Sequence, residues 1–111
     1  MANTMQVALV TADRELWSGE ATAVNARTLD GEIGIMANHT PIMSVLGAGQ
    51  VDVRTVDEGH WVAAVDGGFI SVAGNQVRLL CEHAEISFES NYDEAKRLLD
   101  ERKERLEASG G

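Results

Sequence analysis

The sequence predicts a mainly-β domain, a sandwich or a barrel, followed by one C-terminal helix. Three observations carry this. Apolar and polar residues alternate with period two from residue 4 to about 88. Turn signals interrupt that alternation every 8 to 12 residues or so, the spacing of short antiparallel strands rather than of strand–helix–strand units. At Ser90 both patterns stop and a run of strong helix formers begins.

Each element has its own warrant. In MQVALVT, Met5, Val7 and Leu9 share a face, because successive strand side chains leave opposite sides of the backbone. In QVDVRT, Val51 and Val53 point one way and Gln50, Asp52 and Arg54 the other. In NQVRLLC, Val77, Leu79 and Cys81 alternate with Gln76, Arg78 and, less cleanly, Leu80. Between such runs lie Ser18-Gly19, Asp30-Gly31, Gly47-Ala48-Gly49, Glu58-Gly59, Asp66-Gly67-Gly68 and Gly74-Asn75. Asp66-Gly67-Gly68 reads as the positive-φ turn of a tight hairpin.

The last segment, SNYDEAKRLLDERKERLEAS, has no proline or glycine. Ser90 and Asp93 resemble a capping box with Asp in place of the usual Glu. Asp93–Arg97, Arg97–Glu101 and Glu101–Arg105 are opposite charges four apart, which support one another along a helix. Tyr92, Ala95, Leu98, Leu99 and Leu106 form a narrow apolar stripe, suited to lying against another surface. The reading is a β domain over 1–88 and a helical segment over 89–111.

At 111 residues and 44% hydrophobic content the chain has one core, built largely without aromatics. Eighteen acidic against nine basic residues give a net charge of −9, which repels phosphate backbones and anionic lipid heads. Neither nucleic-acid binding nor lipid insertion is expected. No run approaches the roughly 20 apolar residues of a membrane span, and MANTMQVALV does not read as a signal peptide. Cys81 is the only cysteine and cannot form an intramolecular disulfide.

Catalytic chemistry is hard to assemble. Cys81-Glu82-His83 is the nearest approach to a metal set, yet two ligands on one strand face without a second pair are weak evidence for zinc. Gly31-x-x-Gly34 and Gly47-x-Gly49 lack the following helix that a phosphate cradle needs. His39 with Glu32 could form an acid–base pair, but no nucleophile stands beside them. Two alternatives stay open on these residues alone: a stand-alone acidic β-sandwich that binds other proteins, and a small metal-dependent enzyme on Cys81, Glu82 and His83.

Several blocks in order carry a resemblance. GEIGIMANHTPIMSVLGAGQV is similar to the signature of the epsilon subunit of F-type ATP synthases, through Gly31, Glu32, Gly34, His39, Pro41, Leu46, Gly49 and Val51. DGGFISVAGNQVRLL resembles the strand pair of that family, through Gly67, Gly68, Phe69, Val72, Asn75 and Val77. VALVTADRELWSGEATAV and YDEAKR fit as well, so the likeness runs from residue 5 to about 105. Ala37 and Ala48 stand where the family pattern has prolines.

The resemblance implies a flattened antiparallel β-sandwich of about ten strands and then a helical part. It implies a noncatalytic rotor subunit of a proton-translocating enzyme, peripheral on the cytoplasmic face of a bacterial membrane and without a cofactor. The implied partners are the gamma subunit, the ring of c subunits and, through the helix, the alpha–beta head. Gly31, Glu32, Gly34, His39 and Pro41 become the partner-binding set, with Glu32 toward the ring and His39 toward the stalk. In that set Gly31 and Gly34 turn the chain, Pro41 sets φ for the next strand, and Glu32 stands at the loop tip. Asp93, Lys96 and Arg97 become the regulatory helix residues, Lys96 standing where the family's nucleotide motif has Arg. Only the first helix of the family's two-helix hairpin is recognisable.

Overall fold

The computed structural model describes residues 3–110 and consists of nine strands and one helix. The strands are β1 (Met5–Thr11), β2 (Glu15–Thr28), β3 (Gly31–Met36), β4 (Ile42–Leu46), β5 (Gly49–Thr55), β6 (His60–Val65), β7 (Gly68–Ala73), β8 (Gln76–Cys81) and β9 (Ala84–Ser87), followed by α1 (Tyr92–Gly110). One layer runs β1-β8-β7-β4 and the other β2-β5-β6-β9, with β3 along β2. All pairs are antiparallel except β1–β8.

The fourteen residues of β2 join the layers. Its first half pairs with β1 and its second half with β3 and β5, and Thr28 meets Leu46 of β4. A register irregularity at Ala21/Ala23 lies where β2 changes partners, and a second, at Leu9/Val10 of β1, lies opposite the start of β2. Such bulges increase local twist, which is what a strand shared by two layers requires.

The alternating residues close the core. Met5, Val7, Leu9, Val24, Ile35, Val51, Val53, Ile70, Val77 and Leu79 are fully buried, as is Trp61. Trp17 meets Trp61 edge to face at 5.2 Å between ring centroids.

β6 departs from alternation: every residue from Trp61 to Val65 is buried. Trp61, Ala63 and Val65 belong to the sandwich core, whereas Ala64 lies under α1 with Ala95, Leu99 and Tyr92. The first half of the expected stripe is thus docked on the domain's own sheet, through Tyr92, Ala95 and Leu99, while Leu106 stays exposed. Farther along, Arg102 pairs with Asp13 at 3.1 Å and approaches Glu85 at 3.9 Å, and Lys103 reaches Asp66 at 4.0 Å.

Two local readings need correction. Asp66-Gly67-Gly68 is not a hairpin turn, because β6 and β7 do not pair: it carries the chain from one layer to the other. Gly67 and Gly68 do take positive φ, +118° and +139°. The helix cap is Asn91 rather than Ser90: Asn91 Oδ1 accepts from the Glu94 N–H at 3.1 Å. Ser90 instead adopts φ +60° and donates its hydroxyl to the His60 carbonyl at 2.7 Å.

Removing residues 91–111 should leave a folded sandwich, since the large core cluster contains no helix residue. Exposing the Ala64 surface and losing Leu99 should cost about 1–3 kcal/mol. A melting curve checks this, and loss of a cooperative transition would show that the helix is part of the fold.

Candidate functional site

The outer face of β4-β7-β8 is the least expected surface. In the register, Val45 of β4 lies opposite Phe69 of β7, and Phe69 opposite Leu80 of β8. All three point outward and are exposed, at 41%, 52% and 42%. Met43, two residues from Val45, is 76% exposed. Val10 of β1, opposite Leu80, extends the row and lines a shallow groove with Phe69 and Leu80. The strands lie about 4.8 Å apart, so these side chains form one apolar stripe across four strands. Contiguous exposed apolar surface of this kind marks an interaction site.

Sequence alone does not single out this stripe, although it carries a signal for it. Val45, Phe69 and Leu80 sit in the outward phase of strands whose inward phase is already apolar, and Leu80 was the position where alternation read least cleanly. Out-of-phase apolar residues on three paired strands make one patch only when the register aligns them.

The residues singled out by sequence lie along β3 and its flanks. Gly31 is at the β2–β3 turn with φ +123°, a conformation that favours glycine. Glu32 follows in β3 opposite Arg27 of β2 and is exposed, rather than standing at the loop tip. Gly34 is not a turn residue, since it lies inside β3 opposite Asn25. A Cβ there would meet Asn25 Oδ1 at 3.0 Å, so Gly34 keeps the floor of a groove open. That groove, about 440 Å³, is lined by Asn25, Glu32, Gln50 and Asp52 among others.

His39 and Pro41 lie beyond the other end of β3. Four strand steps, roughly 13 Å, separate Glu32 from Met36 before the loop to His39 even begins. The structure therefore does not bring Glu32 and His39 together as an acid–base pair. His39 Nδ1–H donates to the Thr40 carbonyl at 2.7 Å, and its backbone N–H to Met36 O at 3.2 Å. Asn38, at φ +69°, receives Asn75 Oδ1 on its N–H at 2.6 Å, which ties this loop to the β7–β8 turn. Pro41 then leads directly into β4.

On the helix, Asp93 lies in the first turn. Lys96 pairs with Asp100 at 2.9 Å and Arg97 with Glu101 at 3.3 Å. The Asp100 carboxylate, bonded to the Lys96 ammonium, holds its pKa above the ordinary lysine value. These cations are occupied within the helix.

Cys81, Glu82 and His83 do not assemble a ligand set. Burial first, and then the Asp66 charge, push the Cys81 thiol up to about 12, so it stays protonated near neutrality. His83 Nδ1–H donates to Asp66 Oδ2 at 2.7 Å, and its backbone N–H to Asp66 Oδ1 at 2.9 Å. This clasp fixes the β6–β7 crossing against the β8–β9 link. Among the described residues no group of three His, Cys, Asp or Glu side chains is placed to hold a metal. Asp13, hydrogen-bonded by the Thr11 hydroxyl at 2.7 Å, has its carboxyl pKa held below the usual value, with Arg102 adding to the effect.

Known proteins resemble the chain throughout. The family described as "ATP synthase, Delta/Epsilon chain, beta-sandwich domain" matches residues 4–87. The ATP synthase epsilon chain of Streptomyces coelicolor is 54% identical over 103 residues, spanning 93% of this chain and 83% of that one. Its counterpart in Rhodococcus jostii is 45% identical over 105 residues, spanning 94% and 86%. Among solved structures, a chain of the Euglena gracilis mitochondrial ATP synthase (OSCP/F1/c-ring) superposes with a TM-score of 0.71 at 22% identity, covering 93% of this chain and 66% of that one. A chain of the Tetrahymena thermophila mitochondrial ATP synthase central stalk and c-ring gives 0.61 at 20% identity, covering 72% and 64%.

Proposed function

The chain belongs to the family of ATP synthase delta/epsilon chains, and from that premise we propose that it is a noncatalytic rotor element whose apolar stripe seats the gamma subunit. The observation that carries this reading is the outward row Val45–Phe69–Leu80, extended by Met43 and Val10. An aromatic side chain flanked by aliphatic ones is the usual centre of a protein interface. The reaction itself belongs to other subunits, and this domain contributes stiffness and surfaces.

The ring of c subunits contacts the opposite kind of surface. Gly31 and Glu32 lie by the β2–β3 turn, where Leu29 is 73% exposed, and Glu32 opens onto the polar groove beside Asp52. An acidic groove suits loops that carry basic groups. His39 and Pro41, at the other end of β3, belong to the gamma side. This division makes the protein peripheral, held at the cytoplasmic face through its partners. The helix residues Asp93, Lys96 and Arg97 would reach the alpha–beta head only if α1 left its site over Ala64. With Lys96 and Arg97 paired inside the helix, no nucleotide is expected there.

Mixing the protein with its cognate gamma subunit at micromolar concentration should give one peak on size-exclusion chromatography at one-to-one stoichiometry. Two separate peaks would count against the assignment. In membranes carrying the whole enzyme, Glu32→Lys should lower proton pumping per ATP while moving the melting free energy by no more than about 0.5 kcal/mol. Unchanged pumping would remove Glu32 from the ring contact.

A further inference from the structure

The layer that bears the apolar stripe is nearly free of charge. Its four strands, β1, β8, β7 and β4, contain no Asp, Glu or Lys and a single Arg, in a chain with eighteen acidic residues. The strands of the other layer carry Glu15, Glu20, Asp52 and Glu85. The one charge is Arg78, in the middle of β8, opposite Ala8 of β1 on one side and Ser71 of β7 on the other. It points outward and is exposed. Leu80 lies two residues along the same face, which makes Arg78 the diagonal neighbour of Phe69 across the β7–β8 pair. Such neighbours are roughly 7–8 Å apart, within reach of a long side chain.

Neither an internal contact nor edge protection accounts for this arginine. Among the described residues it has no ion-pair or hydrogen-bond partner. β8 lies between β1 and β7, so no open sheet edge needs a charge there. Its neighbours in the row, Ala8 and Ser71, are small, which leaves the guanidinium open to a partner. Beside it a shallow groove of about 180 Å³ is lined by Gln6, Ser18 and Gln76 together with Ala8 and Arg78. Amide and hydroxyl groups that can donate thus stand around the cation, and no carboxylate does.

We propose that Arg78 sets the register of the gamma contact by pairing with an Asp or Glu that gamma presents beside its own apolar patch. The inference rests on the stripe being the gamma seat. A partner that covers Val45, Phe69 and Leu80 also takes Arg78 out of water. A guanidinium covered without a counter-charge destabilises the complex, so the covering surface must supply one. Guanidinium and carboxylate meet in a forked, two-bond geometry that a lysine does not reproduce. The composition agrees: interface centres are poor in Lys, Glu and Asp and rich in aromatic residues, Met and Arg, and this face offers Phe69, Met43 and Arg78. An apolar row by itself tolerates sliding along the strands. One ion pair set off the row fixes the register.

Binding kinetics of the cognate gamma subunit with full-chain variants test this. Arg78→Gln should weaken affinity at least about tenfold through faster dissociation, with the association rate within about threefold of the wild type. Arg54→Gln removes the same charge from the other layer and should leave affinity within about threefold. Arg78→Lys should recover only part of the loss. Neutralising the exposed Asp and Glu residues of gamma one at a time should reveal one that costs the wild type at least about tenfold yet costs Arg78→Gln less than about threefold, as a coupled pair requires. Melting curves of the Arg78 variants should overlay the wild type, since the side chain is exposed. If Arg78→Gln binds as the wild type does while Phe69→Glu loses affinity, the stripe reading stands and the Arg78 pairing falls. If Phe69→Glu also binds as the wild type does, both fall. An equal loss in Arg54→Gln, or a loss confined to the association rate, would make the effect one of net charge and overturn the pairing.

Discussion

Gly68→Ala should cost the sandwich about 4 kcal/mol or more, enough to leave the chain largely unfolded if its stability is near the low end for small domains. Gly68 has φ +139°, where L side chains are rarely found. A Cβ built there overlaps the Leu80 carbonyl oxygen and lies 2.9 Å from Cys81 Cα. Both obstacles are backbone of β8, the strand that pairs with β7 through Gly68 opposite Cys81. Neither can turn away as a side-chain tip would, so the β7–β8 ladder must separate where the chain enters it from the other layer. Gly59→Ala provides the comparison. Gly59 has φ +75° but nothing within 4 Å of its would-be Cβ, so it should lose only about 1 kcal/mol, the conformational cost alone. Urea titrations of both variants measure the difference. Equal destabilisation would mean that φ, rather than the close approach of β8, sets the requirement at Gly68.

That comparison also marks what the sequence could and could not reveal about the fold. Asp66-Gly67-Gly68 announced positive φ correctly, because glycine chemistry is local. Whether such a turn closes a hairpin or crosses between layers depends on which strands pair, and that is decided by contacts far apart in the chain. The period-two strands β1, β5 and β8 were legible for the same local reason, each burying one face. β6 was harder. Its WVAAV run lacks alternation because α1 covers its second face, and the helix responsible begins twenty-seven residues after Val65. The helix itself was plain from composition. Its cap was misplaced by one residue because Ser90 and Asn91 are both good capping residues, and only the bond from Ser90 to His60 shows which one is otherwise engaged.

The site was legible in a different way. The glycines and proline of residues 31–41 stand out in sequence because special backbone positions demand special residues, and the likeness to a known family runs through them. Side-chain placement then separated what proximity in sequence had grouped. Glu32 and His39 are seven residues apart but lie at opposite ends of β3, and Gly34 proved to be the floor of a groove rather than a bend. The apolar stripe was hidden for the converse reason. Val45, Phe69 and Leu80 are spread over thirty-six positions, individually unremarkable, and become one surface only through the β4–β7 and β7–β8 registers.

Phe69→Glu should weaken binding to the cognate gamma subunit at least about 100-fold, the effect of removing a central aromatic anchor. Phe69 is the middle member of the row, with Val45 on one side and Leu80 on the other. A carboxylate placed there leaves a charge to be desolvated between two aliphatic side chains, which adds to the lost apolar area. The fold should tolerate the change. Phe69 is 52% exposed, and losing its two cross-strand contacts should cost about 1 kcal/mol or less each. The melting curve therefore separates a lost interface from a lost fold. Leu29→Glu is the matching control: Leu29 is more exposed, at 73%, but lies by the β2–β3 turn away from the stripe, so its replacement should leave gamma affinity within about threefold. Calorimetric titration of gamma with the three proteins decides the matter. If Phe69→Glu binds as the wild type does, the stripe is not the gamma seat; if Leu29→Glu loses as much, the contact lies at the turn instead.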